Sequence, residues 1–539
     1  MVQGRNEKGL TKKLSIYAAM AMVAVAAVLY VGFYGGQFNE NNQVLSQQKA
    51  SQKFEEQFCN TTDAKSNEYI TEFKIPTDCS LPVGIAADKE GKIWFASTRK
   101  GNIVAFDPAT SDYREFRIPE WPREDAASKG SQVWRLRFDD EGNLWFTDEK
   151  QNSIWRFFPA SEKFEKYLVP AKTKNFSTVY PIDIDFDKSG NPYFVGIRSK
   201  ELWMVDKSLL EDGTSKGISS VSIPTSDFQG VSPDLLSVGS LTIDKTRDAV
   251  WLSLLAFNVK GQLIKYDIET KEFSVYDLPT ALKSPVSLLP DKSGDLWVTD
   301  HGTSIFFKFD TTEGRFLQYI TSPISNKVFG GKQINAYTLP YWITLDTNGS
   351  IWFNEHIGNR IARFDPGTEK LTEYWIPTQN PKYSQCTDVA PETECGIANA
   401  LQFTVDPNGD AWFTEWTENK IGMVNADKPV QFDVKTSDKI IVVKRGESKA
   451  IPIEVESYEK LDAKVNMVAA STLTSTGNFG NTTAIFSQNE LYFDSPSSKE
   501  VTLVITPAVD IAVGEYALMV GAEYIDVTVS KAVKMQIVQ

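Results

Sequence analysis

Residues 351–378 read IWFNEHIGNRIARFDPGTEKLTEYWIPT and contain most of a structural unit that recurs along the chain. The unit starts with an apolar-Trp-Phe triplet, continues through a polar turn to Ile-x-x-Phe-Asp, and ends with an alternating segment closed by Ile-Pro. Short alternating segments bounded by turn residues are typical of β-strands. An apolar run ending in Asp and a Gly-containing turn precede the triplet, so the unit predicts four consecutive strands, A to D.

This unit recurs seven times along residues 68–424. Its second strand is centred on an aromatic residue, and successive aromatic residues are 46 to 60 positions apart. A period of that length with four short strands is typical of β-propeller blades. We number the repeats 1 to 7 by this residue, in the order Trp94, Trp145, Tyr193, Trp251, Trp297, Trp352 and Trp412.

The two ends of the repeat array complement each other. A strand-D sequence, EYITEFKIP at 68–76, precedes the first strand A, whereas the last repeat ends near residue 425 without a clear strand D. We therefore expect the N-terminal strand to complete the sheet of repeat 7, which would close the ring and remove exposed edges. The sequence thus predicts an all-β chain with a seven-bladed β-propeller at 67–429.

The composition changes after about residue 430. The Trp-Phe pattern stops, no tryptophan follows, and short alternating strands appear instead, such as KIIVVKRG at 439–446 and KEVTLVITP at 499–507. Strands at this spacing predict an immunoglobulin-like β-sandwich at 430–539. We expect this domain to act as a spacer or to contact an envelope protein.

The N-terminal sequence predicts a membrane anchor. Residues 1–14 carry a net charge of +3, and residues 16–34 contain no charged residue, which is enough to cross a hydrocarbon core of about 30 Å. Because basic flanks stay in the cytoplasm, we expect a cytoplasmic segment at 1–14, a transmembrane signal-anchor helix at 15–35, a polar tether at 36–66 and an extracytoplasmic remainder. A cleaved signal peptide is the alternative, although its apolar region would be shorter.

Four cysteines fall into two local pairs. Cys59 and Cys79 are 20 residues apart, and Cys386 and Cys395 are 9 residues apart. No CxxC motif occurs, which argues against a zinc ribbon or a thioredoxin-type centre. In an oxidising compartment we expect two disulfides, with four free thiols as the alternative.

Charge and motif content exclude several functions. The chain has 70 acidic and 56 basic residues, a formal charge of −14, so we expect no nucleic-acid partner, because phosphate binding needs clustered Lys and Arg. Only two histidines occur, which excludes a three-His metal site within one chain. No GxSxG, P-loop or HExxH motif supports a serine hydrolase, an NTPase or a zincin.

Chemically useful residues follow the second strand of several repeats, at the face where propeller loops meet. Three positions after the central aromatic residue, repeats 2, 5, 6 and 7 carry the acids Asp148, Asp300, Glu355 and Glu415. We call this position the acid column. The next position, here called the histidine column, holds Glu149, His301, His356 and Trp416 in the same repeats. Both histidines of the chain therefore occupy equivalent positions in neighbouring repeats.

This pairing predicts a functional site with two possible chemistries. The two imidazoles could bind a divalent metal together with Asp300, Glu355 and Glu415, since nitrogen and oxygen ligands suit several metals. Alternatively, one histidine acts as a general base beside a carboxylate. The acids also have a structural alternative, a hydrogen bond to a neighbouring blade that each repeat retains, and the histidines could be surface imidazoles.

The stretches at 351–378, at 144–159 (LWFTDEKQNSIWRFFP) and at 411–425 (AWFTEWTENKIGMVN) resemble the repeats of the virginiamycin B lyase, or streptogramin lyase, family over roughly residues 68–425. The resemblance implies a seven-bladed propeller and a Mg²⁺-dependent elimination that opens a cyclic depsipeptide at its ester bond. It also implies a site with two histidines and acidic residues. On this basis we expect His356 and His301 as catalytic residues, the acids Asp300, Glu355 and Glu415 as metal contacts, and Asp148 and Trp416 as substrate contacts.

Three functions remain open from the sequence. The first is a membrane-anchored, extracytoplasmic lyase that cleaves a small ester or lactone. The second is a non-catalytic surface protein whose propeller face binds a glycan, a peptide or an envelope protein. The third, a lactonase-type hydrolase, differs from the lyase because it needs an activated water.

Overall fold

The computed structural model describes residues 58–59, 62–121, 131–170, 179–469 and 482–539, apart from residues 229, 233–234, 333, 335, 387–388, 391–392 and 438. The predicted cytoplasmic segment, the predicted anchor helix and most of the tether lie outside these residues. Within the described ranges, no helix is long and apolar enough to cross a membrane.

Residues 70–424 form successive short antiparallel strands, as the repeat pattern predicts. The first strand, β1, spans Ile70–Lys74. Repeat 1 contains β2 to β5, at Pro82–Ala87, Ile93–Ser97, Asn102–Asp107 and Asp112–Arg117. Repeat 2 contains β6 to β9, at Leu136–Phe138, Leu144–Asp148, Ser153–Phe158 and Lys163–Leu168. Repeat 3 contains β10 to β13, at Pro181–Phe186, Pro192–Gly196, Glu201–Val205 and Ile218–Ser222.

The later repeats follow the same order. Repeat 4 contains β14 to β17, at Leu236–Asp244, Ala249–Ala256, Lys260–Asp267 and Phe273–Asp277. Repeat 5 contains β18 to β21, at Pro285–Pro290, Leu296–Asp300, Ile305–Asp310 and Arg315–Ile320. Repeat 6 contains β22 to β25, at Pro340–Leu345, Ile351–Glu355, Arg360–Asp365 and Lys370–Trp375. Repeat 7 contains β26 to β28, at Ala400–Val405, Ala411–Glu415 and Lys420–Val424.

The sheets are arranged as a propeller around a closed ring of first strands. Each first strand contacts the first strand of the next repeat, in the cycle β2, β6, β10, β14, β18, β22, β26 and back to β2. The ring is completed as predicted, because β1 pairs antiparallel with β28 and lies at the edge of the sheet of repeat 7. Residues from both ends of the repeat array therefore share one sheet.

The recurring Asp and Trp form one hydrogen-bonded device in most repeats. In repeat 2, Asp139 Oδ1 accepts from the backbone N–H groups of Glu141 (3.1 Å) and Asn143 (2.9 Å), which fixes the turn between strands A and B. Its Oδ2 accepts from Nε1 of Trp145 at 2.9 Å. Gly142 has φ 83°, a left-handed conformation that glycine adopts without strain. The same Trp-to-Asp bond recurs in repeats 1, 5, 6 and 7.

The C-terminal domain forms two sheets, one of which is continuous with the propeller. Its strands β29 to β37 span Phe432–Lys435, Ile441–Lys444, Lys449–Ser457, Val465–Ala469, Thr483–Phe486, Glu490–Leu491, Ser497–Thr506, Gly514–Tyr524 and Val527–Val538. One sheet has the order β29-β31-β35-β33, and the other contains β30, β37, β36, β32 and β34. In the second sheet β36 pairs parallel with β21 of repeat 5, and β37 pairs antiparallel with β25 of repeat 6. The β36–β37 hairpin thus joins the outer edges of two adjacent repeats.

Both predicted disulfides are present. Cys59 is bonded to Cys79, and Cys386 is bonded to Cys395. The first bond ties residues 58–59 to the loop between β1 and β2. The described residues also contain short 3₁₀ turns, at Lys207–Leu209, Ser226–Phe228, Asn326–Phe329 and Pro381–Tyr383.

The turn device predicts a sharp contrast between two adjacent aspartates. Asp139→Ala removes the carboxylate that accepts from the backbone of Glu141 and Asn143, the side chains of Asn143 and Trp145, and the paired Arg156, so we expect it to lower the free energy of unfolding by about 2–4 kcal/mol. Asp140→Ala, at an exposed position in the same turn, should change it by less than about 0.5 kcal/mol. Urea denaturation measures both values, and equal losses would contradict the device.

The shared sheet predicts that the C-terminal domain and the propeller unfold together. All thirteen tryptophans precede residue 430, so their fluorescence reports on the propeller alone. Val501→Asp places a charge at a position that is 1% exposed in the C-terminal core, and it should lower the midpoint of the tryptophan transition by several degrees. Val509→Asp, at a position that is 76% exposed, is the matched control. A tryptophan midpoint unmoved by Val501→Asp would show that the two units are independent.

Candidate functional site

Strand alternation separates the two columns at the ends of the second strands. Asp148, Asp300, Glu355 and Glu415 are each the last residue of a second strand. Successive side chains of a strand point to opposite faces, so the residue that follows lies on the other side. Each side chain of the acid column is enclosed within its own blade. The side chains of the histidine column lie on the opposite face of the strand.

Glu355 is held in a buried ion pair inside repeat 6. Arg360, its register partner on β24, donates through Nε to Glu355 Oε2 at 2.9 Å, and its Nη2 lies 3.3 Å from Oε1 of Glu373. The guanidinium also donates to the backbone carbonyls of Ser322 (2.9 Å) and Pro323 (3.2 Å). Burial raises the pKa of Glu355 well above its ordinary value, and the nearby Glu373 adds to this effect although Arg360 opposes it.

Glu415 occupies the equivalent position in repeat 7. Its register partner Lys420 is completely buried and donates to Glu72 of β1 at 3.0 Å and to Thr378 at 2.6 Å. Burial and the neighbouring Glu72 raise the pKa of Glu415 well above its ordinary value. In repeat 7 the buried ion pair is Lys420 with Glu72, and neither carboxylate oxygen of Glu415 has a hydrogen-bond partner among the described residues. The structural alternative is therefore supported for Glu355, which is held by Arg360, and not for Glu415.

The other two acids of the column close turns. Asp300 accepts hydrogen bonds from the backbone of Ser284 (2.8 Å) and Gly302 (3.0 Å), and Asp148 accepts from Nε1 of Trp155 at 3.1 Å and from the hydroxyl of Ser131. Asp148 is fully buried among these contacts, and its role as a substrate contact stays a prediction.

The predicted metal contacts belong to separate blades. The side chains of Asp300, Glu355 and Glu415 face into three different blades, and Asp300 and Glu355 have hydrogen-bond partners of their own. In the described ranges no group of three or more His, Cys, Asp or Glu residues is positioned to hold a metal ion. The described structure does not bring these three acids together, and their assignment as metal contacts stays a prediction.

The histidine column does come together. The ring centroids of His301 and His356 are 5.6 Å apart, with an interplanar angle of 12°. Tyr341, on the first strand of repeat 6, stacks on His301 at 4.2 Å and lies 6.1 Å from His356. The two imidazoles are only 3% and 4% exposed, so they form a buried pair and are not surface imidazoles.

Both imidazoles are held in the neutral form. Burial, together with the neighbouring His356, lowers the pKa of His301 to about 3. Burial also lowers the pKa of His356, although its hydrogen bond to Asn399 opposes that effect. At neutral pH neither ring carries a charge, so each has one nitrogen lone pair that can accept a proton.

The hydrogen bond to Asn399 fixes which nitrogen of His356 has the lone pair. His356 Nε2 donates to Oδ1 of Asn399 at 2.8 Å, so the lone pair is on Nδ1. Nδ1 has no hydrogen-bond partner among the described residues. His356 therefore has the arrangement of a general base: one ring nitrogen is fixed by a neighbour, and the other is available.

Glu149 of repeat 2 faces this pair from across the ring. It accepts from Nε1 of Trp134 at 3.2 Å. Burial raises the pKa of Tyr341, and the charge of Glu149 adds to this effect. Burial raises the pKa of Glu149 to about 7, so a proton leaves this carboxyl within the neutral range. Repeats 2 and 6 are not adjacent in the ring, which places the site on the propeller axis.

Arg135 connects the same repeats below the histidine pair. Its guanidinium lies over the ring of Trp342 (5.3 Å), donates to Gln402 of repeat 7 (3.3 Å), and pairs with Asp183 of repeat 3 (3.1 Å). Burial lowers the pKa of Arg135 to about 10, although the group stays charged at neutral pH. A fixed positive charge thus lies on the axis.

The sequence placed His301 and His356 in equivalent positions, and the structure brings their rings together, but three neighbours were missed. The role of Trp416 as a substrate contact stays a prediction. Glu149 was visible in the histidine column, and its position there was the available signal. Tyr341 and Asn399 lie at or just before the first strands of repeats 6 and 7, where the repeat pattern shows only an apolar stretch. No sequence signal distinguishes them.

Comparison with protein-family models gives no match, and comparison with curated protein sequences gives none either. Among solved structures, a streptogramin B lyase superposes with a TM-score of 0.50 and 22% identity, covering 66% of this chain and 97% of that chain. Virginiamycin B lyase from Staphylococcus aureus gives a TM-score of 0.49 and 17% identity, covering 67% of this chain and 99% of that chain. At these identities the similarity concerns the fold. The chain therefore shares the β-propeller fold of streptogramin B lyase.

Proposed function

We propose that the protein is a membrane-anchored enzyme whose extracytoplasmic propeller opens an ester or a lactone by elimination. The observation that carries this proposal is the state of His356. It is a buried, neutral imidazole with one nitrogen held by Asn399 and an unpartnered Nδ1 in the described structure. A base of this kind removes a proton from carbon when a substrate lies against it.

The proposed step needs only a base and a substrate with a leaving carboxylate. His356 Nδ1 takes the proton from the carbon α to a carbonyl, and the electrons of that C–H bond form a C=C bond to the β carbon. The C–O bond of the ester breaks at the β carbon, and the carboxylate leaves. The imidazolium then returns its proton to solvent, so neither water nor an oxidant is consumed.

The neighbours of His356 support this chemistry. His301 and Tyr341 stack beside it and exclude water, which keeps the imidazole neutral. Arg135 supplies a positive charge on the axis toward which a departing carboxylate is attracted. A magnesium requirement stays a prediction, and the step is assigned to the chain's own residues.

The proposed location rests on the anchor sequence and on the disulfides. In this proposal the anchor is the apolar segment at 15–35, which lies outside the described residues, and the bulk of the chain is extracytoplasmic. Two disulfides support an oxidising compartment, since such bonds are rare in a reducing cytosol. Cys59 of the first disulfide lies within the proposed tether at 36–66.

The proposed architecture is a seven-bladed propeller followed by an immunoglobulin-like domain. The closed cycle of first strands supports seven blades. The order β29-β31-β35-β33 in one sheet, opposite a sheet that contains β32, β36 and β37, supports the immunoglobulin-like topology. An envelope-protein partner of this domain stays a prediction.

A second function is favoured by one observation, the burial of the histidine pair. Side chains that are only 3% and 4% exposed leave a substrate little direct contact. In this alternative the propeller is a non-catalytic surface module that binds a glycan, a peptide or an envelope protein elsewhere on the same face. The imidazole cluster then serves only as packing.

Substitution of the histidines distinguishes the two functions. With a cyclic depsipeptide of the streptogramin B class or a set of macrocyclic lactones, His356→Ala should lower kcat about 100- to 10,000-fold, because it removes the base. His301→Ala should lower kcat less. Product mass in ¹⁸O-labelled water is the control for reaction type, because elimination leaves no label and hydrolysis adds one. Absence of turnover by the folded wild-type protein on every substrate would favour the surface module.

The pKa values predict the pH dependence of the reaction. Because burial lowers the pKa of His356, the base stays neutral below pH ~6.5, where a free histidine becomes protonated. The acidic limb of kcat/KM should therefore lie below that pH. Glu149 titrates near pH 7 and should give a second inflection, which Glu149→Gln removes. A Glu149→Gln profile whose acidic limb lies at or above pH 6.5 would rule out the buried neutral base.

A further inference from the structure

Two buried N–H groups have no partner among the described residues, one on the residue hydrogen-bonded to His356 and one on a residue hydrogen-bonded to the backbone of that residue. They are Nδ2 of Asn399 and Nε1 of Trp416, and the two side chains belong to residues that are 2% and 4% exposed. Leaving a buried donor without an acceptor is unfavourable, because the group has lost its hydrogen bonds to water. Native structures keep such groups mainly where a ligand or water completes them.

The backbone connects the two residues that carry these donors. Asn399 directly precedes β26 and has φ 57°, a left-handed conformation that asparagine tolerates better than most residues. Its Oδ1 accepts from His356, so the two atoms of one amide group are divided between the base and the free donor. The backbone N–H of Trp416 donates to the backbone carbonyl of Asn399 at 3.3 Å, which connects the two residues directly.

The indole of Trp416 is fixed on its other side. Phe58 packs against it with ring centroids 5.3 Å apart, and the adjacent Cys59 is bonded to Cys79. Trp416 follows the second strand of repeat 7, as His356 follows that of repeat 6, so neighbouring repeats supply the base and the indole donor. The donor is thus part of a rigid arrangement before any substrate arrives.

Proton removal α to a carbonyl places negative charge on the carbonyl oxygen. That charge must be stabilised, and preorganised N–H donors in a site without water stabilise an oxyanion effectively. The acids that could have held a metal for this purpose are enclosed within the blades, as described above. Two unpartnered donors on residues connected to the base are what such an oxygen needs.

We infer that Asn399 Nδ2 and Trp416 Nε1 bind the carbonyl oxygen of the substrate and stabilise the charge that develops on it when His356 removes the α proton. This inference rests on the proposed elimination and names two further catalytic residues for it. Asn399 then has two tasks, since Oδ1 sets the tautomer of His356 and Nδ2 contacts the substrate. The recognised class of substrate is a carbonyl compound with a proton on its α carbon and a leaving carboxylate on its β carbon.

Trp416→Phe tests the indole donor, because it removes one N–H and keeps an aromatic ring against Phe58. With the streptogramin B depsipeptide as substrate, kcat should fall about 10- to 1,000-fold while KM changes less than about threefold. Trp352→Phe is the matched control, because its Nε1 donates to Asp346 in a turn and not to the site. It should lower the thermal midpoint and leave kcat unchanged.

Asn399→Asp tests the amide donor separately from the tautomer. Aspartate keeps an oxygen acceptor for His356 Nε2 and tolerates the left-handed backbone, but it has no N–H to offer. Measured on the pH plateau, kcat should fall at least tenfold, whereas a residue that only fixes the tautomer would keep wild-type kcat. Asn399→Ala loses both tasks and should be slower still.

The outcomes separate the inference from the proposed function. If wild type and Trp352→Phe turn over the substrate and Trp416→Phe or Asn399→Asp does so equally fast, that donor role is wrong and the elimination stands. If kcat and KM change in parallel in Trp416→Phe and Trp352→Phe, the effect is structural and the inference fails. If wild type does not turn over the depsipeptide or the lactones, the elimination itself is wrong, and the donor assignment is wrong with it.

Discussion

The propeller depends on the pairing of β1 with β28, which closes a ring whose two ends are about 350 residues apart in sequence. The backbone ladder is reinforced by a fully buried pair, Lys420 with Glu72, and by Thr378 of the preceding repeat. Removing one partner of such a pair typically costs about 3–5 kcal/mol, because the other charge stays buried. Closure therefore fixes the position of repeat 7 relative to repeats 6 and 1, and with it the position of Trp416 and Asn399.

A similar group of charges occurs in repeat 6, and it explains the presence of Glu355 in the acid column. A carboxylate at the end of strand B, a cation at the start of strand C and a second carboxylate on strand D form one buried cluster, with Glu355, Arg360 and Glu373 as its members. Glu355 is thus determined by blade construction. The neighbouring column is free of that requirement, so it can hold imidazoles whose rings meet on the axis.

Much of the fold was predictable, because it follows from local chemistry that the sequence displays directly. The Asp of each A–B turn, the Trp that donates to it and the missing strand D of repeat 7 are all visible as pattern. The pairing of Cys59 with Cys79 followed from spacing. The site was predictable only in part. The histidine column showed the two histidines, but a shared position in the repeat does not reveal which face of the strand a side chain occupies. Tyr341 and Asn399 reach the site because the ring is curved. The repeat pattern in the sequence does not show this contact.

The least predictable feature is the insertion of the β36–β37 hairpin between repeats 5 and 6, because edge pairing between distant strands leaves no local signal in either sequence. Its consequence is physical. Glu523 on β36 is buried close enough to Arg360 to contribute to the raised pKa of the guanidinium. The carboxylate of Glu523 also accepts from the hydroxyl of Ser325 at 3.4 Å. Arg360 in turn holds Glu355, the residue that precedes His356. The C-terminal domain thus contributes to the charge cluster that anchors the end of the strand carrying the base, and the two repeats it joins are those that supply both histidines.

A propeller blade normally moves little relative to its neighbour because their faces pack tightly. Here the outer edges of these two blades are also tied by one continuous sheet, so the distance between the two imidazoles is constrained from both the axis and the rim.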